Sequence, residues 1–185
     1  MHITNINNSQ PTTFQGTVDK SVTKYLDKSF KNYKRNVTNA RSKNASSKIH
    51  NYEELINQTK TVLNDFMKGC HPDTKLKLKE TRFLKNAQEL VIENSFLPTT
   101  PNVNISERIS LRFPNNGQPV DAGTLKAVMY SFKKELNPTT QDRNLLRYSI
   151  NNLEAKANTN WFNKIIANWQ LKKAEKFSIE INKNK

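Results

Sequence analysis

YEELINQTKTVLNDFMK, residues Tyr52 to Lys68, sets Tyr52, Leu55, Ile56, Thr59, Val62, Leu63, Phe66 and Met67 at the i, i+3, i+4, i+7 spacing of one helical stripe. Glu53, Glu54, Asn57, Gln58, Lys60, Asn64, Asp65 and Lys68 fill the other face. A stripe this regular marks a core helix, against which the rest of the chain must pack. Its expected stop is Gly69, which can take the left-handed conformation that closes a helix, followed by Pro72, which cannot continue one.

Toward the N-terminus, Thr17 is placed to cap a helix whose apolar positions, Val18, Val22, Tyr25, Leu26, Phe30 and Tyr33, share one side. Lys20, Lys24, Lys28, Lys31, Lys34 and Arg35 share the opposite side, with Asp27 the only acid among them. Like charges at i, i+4 cost about 0.2–0.5 kcal/mol per pair, so such a face works against its own helix and points to a partner that uses it. A solvated face on a helix docked by its other side gives the same spacing. Asn36 to His50, which includes Arg41 and Lys43, is rich in Asn, Ser, Lys and Arg and reads as a basic loop that orders on binding. Residues 1–16 are polar and aperiodic, contain Pro11 and Gly16, and read as a flexible arm.

After the central helix, Cys70, His71 and Asp73 bring a thiol, an imidazole and a carboxylate together. A reactive thiolate needs a helix N-terminus or a cationic neighbour, whereas Cys70 follows a helix C-terminus, whose partial negative charge raises a thiol pKa. His2, His50, His71 and Cys70 match no zinc-ligand spacing. The segment is expected to cap and turn, with no metal and no cofactor. Lys75 to Lys79 alternates leucine with lysine and reads as a half-buried strand. Residues 81–94 fit either a helix or a hairpin of FLK against ELVIE, and the preceding strand favours the hairpin. Pro98 and Pro101 mark a loop. Beyond it, Ile105, Ile109, Leu111 and Phe113 alternate with Ser106, Arg108, Ser110 and Arg112 as a strand.

Asn115-Asn116-Gly117 signals a turn, and Asp121 is a good N-cap with Val120 and Leu125 placed as a hydrophobic staple. The helix it starts buries Leu125, Val128, Met129, Phe132 and Leu136 and stops at Asn137-Pro138. Thr139 or Thr140 is expected to cap the next, with Leu145, Leu146, Ile150, Leu153 and Ala157 inward. After a break at Asn158-Thr159-Asn160, a last helix carries Trp161, Phe162, Ile165, Ile166 and Trp169. Two tryptophans eight residues apart beside Lys164, Lys172 and Lys173 could stack single-stranded bases, but a buried stripe gives this spacing too and is the expectation. Phe177, Ile179 and Ile181 alternate as a closing strand.

The 30 Lys and Arg against 16 Asp and Glu give +14, the footprint of a protein that meets polyanions. Abundant Lys, Asn and Ile is also what A+T-rich coding produces. The charge is segregated, however: residues 17–49 hold nine basic and two acidic side chains, whereas residues 50–100 hold seven of each. The lone Cys70 excludes an intramolecular disulfide, and the polar N-terminus resembles no signal peptide, so a cytoplasmic location is expected. Asn-X-Ser/Thr triplets at Asn7, Asn36, Asn44, Asn57 and Asn104 are chance matches in an Asn-rich chain. The glycines at 16, 69, 117 and 123 are isolated and build no phosphate loop, and no triad, carboxylate dyad or repeat stands out.

Together these features define an α+β chain: residues 17–185 as one mainly helical domain with a small antiparallel sheet, led by the basic helix and loop of residues 17–50. The expected role is non-enzymatic binding of a polyanion, nucleic acid first, through Lys20, Lys24, Lys28, Lys31, Lys34, Arg35, Arg41 and Lys43. The alternatives are a protein-interaction or structural module whose charge is compositional, and attachment to an anionic membrane surface by the same helix once undocked.

Overall fold

The computed structural model describes residues 15–80, 87–95, 97, 103–104, 113–114 and 118–183. Most of the expected arm, 81–86 with its FLK segment, and nearly all of the expected strand 105–113 lie outside these residues.

The first element is a strand, β1 (Thr17–Val18), so Thr17 caps no helix. Its backbone follows Gly16, whose N–H donates to the Met67 carbonyl at 2.8 Å. A Cβ on Gly16 would lie 2.7 Å from Met67 Cε and 2.8 Å from the Thr74 carbonyl oxygen, so only glycine lets the chain pass here. Asp19 is the true cap of α1 (Lys20–Asn39), accepting the Ser21 N–H at 2.8 Å. A short turn of residues 40–44, with Arg41 and Asn44 at positive φ (45° and 60°), leads into α2 (Ala45–Lys68). The expected loop of residues 36–50 is therefore mostly helix. Its Asn, Ser and Lys content misled because intrinsic propensities are weak beside the tertiary packing that both flanking helices obtain.

In α2, Tyr52, Ile56, Thr59, Val62, Leu63, Phe66 and Met67 are buried and Leu55 half-buried. Gly69 ends the helix at φ −89° rather than in the left-handed region. What requires glycine there is contact: an added Cβ would meet the Pro138 ring at 2.9 Å.

β2 (Thr74–Glu80) and β3 (Ala87–Asn94) pair antiparallel from Thr74 opposite Asn94 to Glu80 opposite Gln88, which excludes a helix at 87–94. β1 runs parallel along the other edge of β2, whereas β4 (Val103–Asn104) and β5 (Phe113–Pro114) are antiparallel to β3. The sheet is thus mixed rather than antiparallel throughout. Its inner face, with Leu76, Leu90 and Ile92 buried, packs on α1 and α2. On the outer face Lys77 and Lys79 both pair with Glu93, the Lys79 bond measuring 2.7 Å.

Asp121 caps α3 (Ala122–Tyr130) through the Thr124 N–H at 2.8 Å, and both staple residues, Val120 and Leu125, are buried. The helix widens into a π turn over Ser131–Glu135 that brings Phe132 edge-on to Phe66, ring centroids 4.8 Å apart. Asn137, not a threonine, caps α4 (Pro138–Ala157), accepting the Thr140 N–H, with Pro138 in the first turn. α5 (Trp161–Lys183) returns antiparallel to α4 after residues 158–160. The expected strand at 177–182 is its last turns. Phe177 and Ile181 sit one turn apart and are buried while Ile179 is exposed, an i, i+4 pattern that also reads as alternation. The result is an α+β, mainly helical fold.

Candidate polyanion-binding surface

α1 is fixed to the body by its apolar side. Val22 and Leu26 are buried, and Ser29 joins a closed hydrogen-bond ring: Val120 N–H donates to Ser29 Oγ at 2.9 Å and Tyr52 OH donates to the Val120 carbonyl at 2.7 Å. Ser29 OH completes it by donating to Tyr52 OH at 2.7 Å. Every polar atom of this buried triangle is satisfied, and burial pushes the Tyr52 phenol pKa up. Tyr33 stacks on Tyr52 at 4.0 Å, and Tyr25 OH donates to the Pro114 carbonyl at 2.7 Å.

That docking turns the other side outward. Lys20, Lys24, Lys28, Lys31, Lys34 and Arg35 are all exposed and fall within roughly 120° of the helix circumference at 3.6 residues per turn. Asp27, the acid among them, is bonded to Lys60 of α2. Arg41 and Lys43, in the turn after α1, are exposed as well.

In the Cys70–His71–Asp73 segment the thiol and the imidazole are buried, while Asp73 is half-buried. Cys70 is fully buried, and burial first, then the nearby Asp142 charge, pushes its thiol pKa well up; the helix terminus is not the main cause. His71 Nδ1 accepts the Asp73 N–H at 3.1 Å, which leaves the ring proton on Nε2, donated to Glu180 Oε2 of α5 at 2.6 Å. Its backbone N–H donates to Asp142 Oδ2 of α4 at 2.7 Å, and Thr74 OH donates to Asp142 Oδ1 at 2.7 Å. Burial raises the Asp142 pKa against these bonds. Phe177 covers the imidazole at 4.3 Å. With both ring nitrogens engaged and the face covered, the cluster clasps three elements together and presents no nucleophile. Among the described residues no group of three His, Cys, Asp or Glu is arranged to hold a metal. The enclosed cavity between α1 and the sheet, lined by Val22, Leu26, Leu63 and Leu90 among others, measures about 10 Å³, at most one water.

The outer half of α5 departs most from expectation. Trp161 is 74% exposed, Phe162 60%, Ile165 55% and Trp169 59%, so these are surface residues and not a core stripe. Hydrophobic spacing identifies a helix face but not what the face meets. The buried side of this hairpin is partly polar instead, with Gln141 and Ser149 on α4, Ala167 and Ala174 on α5, and the buried Oε1 of Gln170. Lys173 Nζ lies 4.0 Å over the Trp169 ring. The signal that could have found this face is charge: residues 155–174 contain Lys156, Lys164, Lys172 and Lys173 and no acid.

No described helix is long and apolar enough to cross a membrane. No family model matches the chain, and no curated protein or solved structure is significantly similar to it.

Proposed function

We propose that this chain is a non-enzymatic polyanion-binding protein, with nucleic acid as the ligand, and that the outward face of α1 with the following turn is the contact surface. Lys20, Lys24, Lys28, Lys31, Lys34, Arg35, Arg41 and Lys43 contribute the charge. The observation that carries this is the exposure of all eight, six on a helix whose other side is locked by the Ser29–Tyr52–Val120 ring and two in the turn that follows it. A locked helix presents its cations without the entropy loss of folding on the ligand. Successive lysines four residues apart rise about 6 Å, close to the rise of two phosphates, about 6.8 Å, along one strand of a duplex. Attachment to lipid by the apolar side of α1 would break that ring, so the outward side is the one assigned.

Each lysine that neutralises a phosphate contributes roughly 0.7–0.9 to the slope of log K against log salt, depending on strand number. Replacing Lys20, Lys24 and Lys28 by Gln should lower that slope by about two to three units while thermal stability moves by under about 0.5 kcal/mol. A folded triple variant that binds DNA and RNA with the wild-type slope, or a wild type that binds neither at low salt, would remove the assignment. The compositional-charge alternative, an interaction module, would then stand.

A further inference from the structure

The outer half of the α4–α5 hairpin buries Leu153 and Ala167 but leaves its largest apolar residues facing out. Trp161, Phe162, Ile165 and Trp169 face out, while Ser149 Oγ and Gln170 Oε1, midway along the pair, are buried and no partner reaches them among the described residues. The core contains Leu145 of α4 and Ala174, Phe177 and Ile181 of α5, so the hairpin is rooted at the end away from its turn. Trp161 and Trp169, about 12 Å apart along the axis, lie toward the turn.

We propose that this exposed face of α5 is a docking surface for an anionic lipid bilayer, with Trp161, Phe162, Ile165 and Trp169 entering the headgroup boundary and Lys156, Lys164, Lys172 and Lys173 meeting lipid phosphates. Charge complementarity selects the occupant. From Ala155 to Ala174 every ionisable side chain is a lysine, so a second copy of the +14 chain would set like charges against each other. Interfaces between proteins are depleted in lysine at their centres, whereas tryptophan flanked by lysine suits a surface that is apolar below and anionic above. Ile165, in the middle of the stripe, has no ring to stack on a base, which weighs against a single nucleic-acid strand. The mode is interfacial, requires no spanning helix, and leaves the α1 face unused.

Both tryptophans of the chain are in this face, so their emission reports it directly. The full chain should show a blue-shifted emission and co-sediment with vesicles of phosphatidylcholine and phosphatidylserine, and do neither with phosphatidylcholine alone. Trp161→Ser with Trp169→Ser, tested by sedimentation, should lower vesicle affinity at least about tenfold. Lys164→Gln with Lys172→Gln should lower it roughly thirtyfold, at about fivefold per lysine near an anionic surface. The Lys20, Lys24, Lys28→Gln variant should keep the blue shift, which separates this face from the α1 site. Unchanged emission with anionic vesicles overturns the proposal, as does full vesicle binding by the double-tryptophan variant. A shift produced by protein concentration alone assigns the face to a second copy, and quenching by oligo-dT without a vesicle response assigns it to nucleic acid; each also overturns it.

Discussion

At the scale of single residues, Asp121 was readable in sequence because its cap depends only on residues within one turn, whereas the caps expected at Thr17 and at Thr139 or Thr140 fell to Asp19 and Asn137. Hydrogen bonds from the Thr124 hydroxyl and N–H hold the Asp121 carboxyl below the usual carboxylate range. A folded-state pKa below the unfolded value gives stability that is present above the unfolded pKa and lost as pH falls through the folded one. Asp121→Ala should therefore cost about 0.5–2 kcal/mol near neutral pH, and the gap to wild type should close as pH falls below about 4. Urea titrations at stepped pH measure it, and a gap that ignores pH would mean the carboxylate is not the cap. Asp142 is the contrasting case. Its partners His71 and Thr74 are 71 and 68 residues away, so no local pattern could announce that this acid is buried or that His71 also meets Glu180.

At the scale of elements, α2 was legible from Tyr52 onward, where no buried position departs from helical spacing, whereas its first turns from Ala45 were read as loop because they bury nothing. Phe66, buried and edge-on to Phe132, tests it: Phe66→Ala should cost about 3–5 kcal/mol, read as a shift in denaturation midpoint at constant slope. A loss below about 1 kcal/mol would make the helix peripheral. α5 was misread twice for opposite reasons. Phe177, Ile179 and Ile181 satisfy a period of 2 and a helical turn equally, and only burial of the first and last decides. Trp161, Ile165 and Trp169 satisfy a helical stripe, but periodicity is blind to whether a face meets core or solvent. Arg41 and Lys43 did fall between helices, in a turn much shorter than the basic loop expected around them.

At the scale of the whole molecule, distant segments close on one another around the junction of α2 and β2. Gly16 from the N-terminal side, Asp142 from α4 and Glu180 from α5 all reach the stretch from Met67 to Thr74. Cys70 lies inside this junction, fully buried. In native buffer a disulfide reagent should label it at least about a thousandfold more slowly than a free peptide thiol, rising to the peptide rate in urea together with the loss of far-ultraviolet dichroism. Rapid labelling of folded protein would show that the junction opens locally. The α+β, mainly helical organisation was readable from periodicity, but the parallel edge made by β1 was not. Two residues carry no pattern, and Thr17–Val18 has the composition of a helix start as much as of a strand.

The rooted hairpin also has a mechanical meaning. It is a rod about 30 Å long, clamped at one end by Phe177, Ile181 and the Glu180–His71 bond, with its free end carrying the tryptophans. A load applied at the free end acts as torque about the clamp, so the lever swings from the α2–β2 junction rather than peeling from its tip.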